Sequence, residues 1–508
     1  MDYLFRESSS FNLRFGLATL LLGYWTYLYI QKGRQFEADV MFGERHGCLP
    51  IEKKLPYKWP LALDVFKRQY DAAVAGNLMA FQSQYFKDTN VGQTFQVKLL
   101  GRIGYFTNDP KNIEAIVSTN FEDWGLRATR DGLYSMIGSG IFTQDGAPWK
   151  HSRELLRRQF MRIQYQDVKV FDGPIDDLLA TLASSSGVVD LQPEFFKFTL
   201  ATTTSLIFGE PFAGLDPKDH EAFGENFDYA SLVSAMRLRL ADWCFLYTPR
   251  KYTKTCDQVK KYAMRYVDHA LMDMKEHGEE AALEHHPFIL DLYKELHDPI
   301  LVRDQLMNVL IAGRDTTACL MSWSIYLLVR HPAALERLRQ EIRSTVEIGQ
   351  PLTRGQINKM SYLKCIFNET NRLYTNIPVN VRETLKTTVL PRGGGPDGNS
   401  PVLIRKGYGI GFSPYHMHRS KELYGEDAND FRPERWEEPE LKNIGCGARV
   451  CLGKDFALTE ASYGIVRILQ TYPNLRLPPD VPIVPSGQEK QIITFVVASA
   501  EGCKVLLD

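Results

Sequence analysis

A chain of 508 residues is long enough to bury a large core, and 44% hydrophobic with 24% charged residues marks it as globular. With 60 basic against 61 acidic side chains there is no global charge bias toward nucleic acid, so a charge-steered partner has to use a local patch. The cysteines are widely spaced, which excludes the dense disulfide framework of small secreted domains and points to a reducing compartment.

In chain order, Phe15 to Gln31 carries no charge and is flanked by Arg6, Arg14, Lys32 and Arg34. At about 17 residues it is at the short end of what spans a bilayer. Tyr24, Trp25, Tyr27 and Tyr29 suit the membrane interface, and no small-residue cleavage site follows. The expectation is a retained transmembrane anchor helix within 1–31; flanking charge on both sides leaves its orientation open. Pro50, Pro56 and Pro60 mark 32–60 as a stiff linker, and nothing divides the single large domain expected over 61–508.

Within that domain Gln96 to Leu100 and Pro401 to Ile404 read as strands, and Trp149 to Ile163 reads as a helix. Asp304 to Val329 reads as a long apolar helix and is therefore expected to be buried. Thr353 and Gln356 fit a capping box opening the region that leads to Leu373. Pro391 to Ser400 (PRGGGPDGNS) reads as a surface loop. The fold class is mainly α with small β-sheets (α+β).

Four segments carry chemistry. Ala312 to Thr317 (AGRDTT) interrupts the apolar helix: the small residues leave room for a ligand, and Thr316 can bond back to the carbonyl of Ala312. A buried aspartate capped by its neighbours explains that segment equally well. Glu369 and Arg372 share one helix face, and Arg435 in FRPERW would complete a buried charge network if it joined them; taken separately, each reads as solvated charge. Gly447 and Gly453 bracket Cys451, which precedes a helix and follows Arg449, a setting that favours the thiolate a metal needs. Zinc held by Cys446, Cys451, His416 and His418 does not match the usual ligand spacing. Trp149 and Arg153 lie on an arginine-rich helix, and Arg382 is a further basic residue; arginine suits bidentate carboxylate recognition, while an ordinary basic face is the plainer reading.

Taken in order, AGRDTT (312–317), ETNR (369–372), FRPERW (431–436) and GARVCLG (447–453) resemble the cytochrome P450 superfamily. GCLPIEKKLPYKWPLALD, YGEDANDFRPERW and CLGKDFALTEASY are similar to the fungal branch that hydroxylates n-alkanes and fatty acids. The resemblance implies that Cys451 is the axial ligand of the iron of haem b, its thiolate favouring O–O cleavage. It implies that Asp315 and Thr316 deliver protons to dioxygen, and that Glu369, Arg372 and Arg435 form a structural network behind the haem. Trp149, Arg153, Arg382 and Arg449 would hold the haem propionates, with Gly453 beside the cofactor. Tyr134, Ile137, Phe142, Val309, Val379 and Ile492 would line the substrate channel.

The implied reaction inserts one oxygen atom into a C–H bond of a lipophilic substrate, at the chain terminus. Without a nicotinamide-binding fingerprint in the chain, electrons would come from NADPH through a separate reductase, docked on Arg157, Arg158, Arg449 and Lys454. The implied location is the endoplasmic reticulum membrane, with the domain facing the cytosol.

One departure stands out. The family carries an aromatic seven residues before the cysteine, where this chain has Ile444, and only 14 residues separate Trp436 from Cys451. The clean joints favour a misplaced exon boundary over a genuine deletion. A genuine deletion would leave a haem-deficient, membrane-bound lipid binder as an alternative; a haem-thiolate lipid isomerase needing no reductase is the other, against which Asp315 and Thr316 argue.

Overall fold

The computed structural model describes residues 2–99, 101–163, 168–209, 217–346, 350–438 and 447–507. Its central element is the 32-residue helix Pro299–Arg330. Asp298 caps it, accepting from the backbone N–H of Ile300 at 2.8 Å and of Leu301 at 3.4 Å. Pro299 fills the first turn, where a missing N–H costs nothing, so the helix starts ahead of the expected Asp304. At the other end Pro332 holds His331 out of helical geometry. From Asp304 to Val329 every residue is buried except Ala312, Gly313 and Thr316.

Helices Leu191–Phe208, Arg250–His277, Ser361–Leu373 and Lys454–Thr471 pack around this rod. Together they form the main apolar core, with Leu306, Leu310, Trp323 and Phe198 among its members. Gly313 matters to that packing: a Cβ there would come within 2.7 Å of the Thr203 hydroxyl, so its small size is spent on helix contact. The room expected beside the helix is left at Ala312 and Thr316.

A five-stranded sheet flanks the helices in the order Thr94–Leu99, Arg102–Thr107, Gly409–Phe412, Asn380–Thr384, Trp124–Gly125. Arg102–Thr107 pairs with Gly409–Phe412 in parallel and the other neighbours are antiparallel. Arg382 sits opposite Ile410 on the strand Asn380–Thr384, which is next to the edge strand Trp124–Gly125.

The segment expected as a surface loop is partly a strand. Thr388–Gly394 pairs with Ser400–Ile404 across a bulge, and Gly393 to Gly395 are buried. A Cβ on Gly394 would meet the carbonyls of Leu49 and Pro401 at 2.6 Å, and the Asn112 side chain bonds both the N–H and the carbonyl of Arg392. The glycines therefore permit close backbone contact as well as the turn.

The prolines of the expected linker mark a strap sewn onto these sheets. Leu49 N–H donates to the Pro401 carbonyl at 2.9 Å, Gly395 N–H to Pro50 at 3.0 Å, Leu55 N–H to Gln96 at 2.9 Å and Gln96 N–H to Lys53 at 2.9 Å. Ahead of the strap runs a 44-residue helix, Asp2–Arg45, whose last turns dock on the hairpin. Thr387 donates to buried Asp39 at 2.7 Å, Arg405 lies over Phe36, and Gly43 faces Leu403. Among the described residues no helix is long and apolar enough to cross a membrane. The expected transmembrane anchor is thus corrected: the stretch is helical, but Tyr24, Trp25, Tyr27, Tyr29 and Gln31 dilute its apolar character.

Candidate functional site

Cys451 lies three residues before the start of the helix Lys454–Thr471; it is exposed and forms no disulfide. The preceding turn is set by Gly447, which has φ +61° and leaves no space for a side chain against the Val117 carbonyl. Ala448 N–H donates to that same carbonyl at 3.2 Å and Val450 N–H to Gly447 at 3.2 Å. Gly453 N-caps the helix, with the Phe160 ring 3.4 Å from where a Cβ would stand. Ile444 and Cys446, and with them the shortened approach, lie outside the described residues.

Three arginines converge beside this turn. Arg153 donates to the Val450 carbonyl at 2.8 Å; burial lowers its pKa and Cys451 acts to raise it. Arg449 stacks 4.3 Å from the Trp149 ring centre and bonds Asp145 at 3.0 Å, with its Nε buried and unpartnered. Burial, then the positive charge of Arg382, bring its pKa down to about 10. Among the described residues Arg382 donates to its neighbour's carbonyl, Val381, at 2.9 Å, and burial brings it to about 10 as well. Asp145 bonds Arg449 and acts on Arg382 through its charge, and Arg130 already claims it at 2.8 Å. Desolvated guanidinium groups repelling one another are costly unless anions join them. A flat group carrying two carboxylates, such as haem, fits this donor set with Cys451 supplying a thiolate.

The opening in the central helix supplies the opposite wall. Thr316 Oγ1 donates to the Ala312 carbonyl at 2.7 Å, which bends the local ladder. Asp315 lies with one carboxylate oxygen 3.6 Å from Arg314, and that buried oxygen accepts no hydrogen bond among the described residues. Burial, opposed by Arg314, raises its pKa to about 6. Arg314 bonds Asp228 of the helix Pro217–Leu240 and lies over Phe196 and Phe227. On the next turn of the protein, Glu460 of the cysteine helix accepts from Thr202 and neighbours Thr317; burial raises its pKa to about 8.

Between the helix Ser361–Leu373 and the segment 418–436 the structure unites Glu369, Arg372 and Arg435, all almost fully buried. Arg372 grips Glu369 with two bonds of 2.8 Å, and Arg435 reaches it at 3.4 Å. Trp436 Nε1 and Arg432 N–H add bonds of 3.0 Å each. Remaining arginine donors end on the carbonyls of His418, Ala428, Asp430, Tyr424 and Asp427 and on the Asp427 carboxylate.

Among the expected lining residues, Tyr134 and Ile492 are exposed, and Phe142 and Val379 are half-buried. Ile137 and Val309 are enclosed in the main core. Of the expected docking cations, Arg157, Arg158 and Lys454 are exposed, with Arg158 paired to Glu295; Arg449 points inward and belongs to the site. Sequence reasoning missed Asp304 and Asn308, which hang the loop bearing Phe142 on the central helix through Ser139 N–H at 2.9 Å and Phe142 N–H at 3.1 Å. It also missed Asp145, and Glu460, a lone acid in an apolar helical run whose isolation was the available signal.

The fold and the site define a haem-thiolate protein. A family model for cytochrome P450 matches residues 54–499. A cytochrome P450 from Arthroderma benhamiae is 39% identical, over 96% of this chain and 98% of its own length. Cytochrome P450 52A1 from Candida tropicalis is 39% identical over 81% of this chain and 80% of its own. Cytochrome P450 52A13 from Debaryomyces hansenii is 35% identical over 88% and 90%. The crystal structure of the cytochrome P450DA haem domain shares the fold, with a TM-score of 0.73 at 18% identity over 91% of this chain and 98% of its own. The chain belongs to the cytochrome P450 family: it is a haem-dependent monooxygenase that draws electrons from a redox partner.

Proposed function

We propose that this monooxygenase hydroxylates the terminal carbon of an n-alkane or fatty acid, taking electrons from an NADPH-dependent reductase. The observation that carries the cofactor assignment is the set of desolvated arginines beside Cys451: Arg153 on the Val450 carbonyl, Arg449 on Asp145, and Arg382. Trp149 and these arginines would hold the propionates, and Cys451 would supply the thiolate to the iron. Haem bound there supplies dioxygen activation and oxygen insertion.

The chain's own residues hold the proton and the substrate. Asp315, with its pKa near 6, is poised to exchange a proton close to neutrality, and Thr316 stands on the open helix face to pass it inward through an ordered water. Glu369, Arg372 and Arg435 tie the helix Ser361–Leu373 to the segment 418–436. Apolar side chains left uncovered near the cleft, among them Tyr134, Ile377, Val381 and Ile492, suit a long hydrocarbon with few polar anchors. The similarity to the 52A proteins of yeasts supports the same reading.

Membrane association belongs to this proposal. Leu20, Leu21, Leu22, Trp25 and Ile30 are exposed along the N-terminal helix, a surface that lipid covers at low cost. The setting is the cytosolic face of the endoplasmic reticulum, where lipophilic substrate and reductase meet.

Reduction under carbon monoxide tests the cofactor: the expressed protein gives a thiolate-haem Soret band, Cys451→Ser abolishes it and Cys446→Ser leaves it. A band lost with Cys446 instead overturns the ligand assignment, and no band in folded wild type favours the haem-deficient lipid binder. Turnover of dodecanoate or hexadecane with reductase and NADPH then tests the reaction; absence of hydroxylated product overturns it.

A further inference from the structure

At the corner where Pro299–Arg330 gives way to the helix Pro332–Thr345, the structure holds a recess of about 450 Å³. That volume is in the range of small-molecule sites. Val329, Pro332 and Leu335 give it an apolar wall, and Arg339, Asn474 and Arg476 give it a polar one. Among the described residues no carboxylate lines it, so two cations and an amide face apolar surface with no acid between them. The recess is remote from the haem site. It lies past the C-terminus of the cysteine helix, whose 18 residues make a rod of about 27 Å, whereas Cys451 stands before the N-terminus. Along the central helix the rise from Thr316 to Val329 is about 20 Å.

Arg339 is the side chain whose bonding is incomplete. A terminal nitrogen donates to the Leu475 carbonyl at 2.9 Å. Glu336 stands 3.8 Å away, beyond a hydrogen bond, and gives its short contact of 2.7 Å to Arg343. The Nε of Arg339 is buried and has no hydrogen-bond partner among the described residues. Burial is the largest influence on its pKa and lowers it. Arg476 is exposed on a fixed backbone: its N–H donates to Leu506 at 3.0 Å, and its carbonyl accepts from Leu506 N–H at 2.9 Å. The turn 474–476 is thus held by the strand Lys504–Leu506 on one side and by Arg339 on the other, which gives the recess a preformed edge.

A guanidinium short of partners, beside a second one, matches a carboxylate in charge and in the geometry of its planar fork. The apolar wall requires an aliphatic body on that anion. We infer that this recess binds a small aliphatic carboxylate, with its anion on Arg339 and Arg476 and its hydrocarbon on Val329, Pro332 and Leu335. The site is separate from the haem pocket and independent of which substrate is hydroxylated there.

The test fills the haem pocket of the haem-loaded protein with 1-dodecylimidazole, then titrates in octanoate, octan-1-ol and acetate by calorimetry. Octanoate is expected to bind, and the other two at least tenfold more weakly. Its Kd should rise tenfold or more in Arg339→Gln and at least threefold in Arg476→Gln. The second variant changes an exposed side chain and leaves the backbone bonds to Leu506 in place, so it reads binding even where Arg339→Gln loosens the turn. A diazirine analogue of octanoate, photolysed under the same conditions, should label peptides containing 329–339 or 474–476. No octanoate binding to wild type, equal binding of octan-1-ol or acetate, an unchanged Kd in either variant, or label confined to other peptides would each overturn the site. With the haem pocket occupied throughout, none of these outcomes bears on the hydroxylase reading.

Discussion

Two arginine clusters differ in what they lack. Around Glu369, Arg372 and Arg435 spend their donors on Glu369, Asp427 and a ring of carbonyls, so the cluster is complete within the chain. Beside Cys451, Arg153, Arg382 and Arg449 are desolvated, Arg449 alone of the three bonds Asp145, and the charges of Arg382 and Arg153 lower its pKa further. The first is architecture, because removing any member strands a buried charge. The second is a receptor, because its charge balances only when a dianion arrives.

The sharpest way to separate the two is to delete charge from each. Glu369→Gln leaves buried Arg372 without a carboxylate while Arg435 keeps Asp427, and a loss of about 3–5 kcal/mol in urea-melt stability is expected. Arg382→Gln should act in the opposite sense: haem occupancy falls at least tenfold by absorbance ratio, while the thermal midpoint of haem-free protein holds or rises. Equal destabilisation by both variants would erase the distinction.

Glu460 offers a smaller test of a third buried charge. Folding raises its pKa from an ordinary carboxyl value to about 8, so the folded state keeps a proton that the unfolded chain releases. Its contribution is therefore fully favourable below the ordinary value and declines as pH rises toward 8, with a slope approaching about 1.4 kcal/mol per pH unit. Glu460→Gln should flatten that part of the stability profile in melts between pH 5 and 8. An unchanged slope would show the carboxyl to be ionised in the fold. Smallest of all, Lys67→Ala breaks an exposed pair with Asp71 and should shift stability by less than about 0.5 kcal/mol.

Much of the site was legible because it is local. The spacing of Glu369 and Arg372 on one helix face, and the glycines around Cys451, are properties of short segments. Arg435 was legible only as a condition, since its approach to Glu369 spans the chain between two elements. The resemblance supplied Arg382, which no pattern around it distinguishes from surface charge. Ile137 and Val309, which the resemblance implied for the channel lining, are buried among the apolar residues of the main core; hydrophobic periodicity marks such positions as buried without separating a core from an apolar channel wall. The glycine-rich stretch after Pro391 was misread because the same residues serve a turn and a close backbone contact. The anchor was misread because an uncharged run was weighed by its lack of charge more than by its aromatic hydroxyls.

The N-terminal helix has a mechanical consequence. Forty-four residues make a rod of about 66 Å, and its inner end is keyed to the hairpin by Asp39, Phe36 and Gly43. Such a joint is a bracket and not a swivel. Whatever surface the outer end grips, the rod dictates the tilt at which the catalytic domain is presented to it. Thr387→Val, which cuts the bond to Asp39, should therefore leave the chemistry of dissolved substrate intact and change how readily substrate arrives from a bilayer.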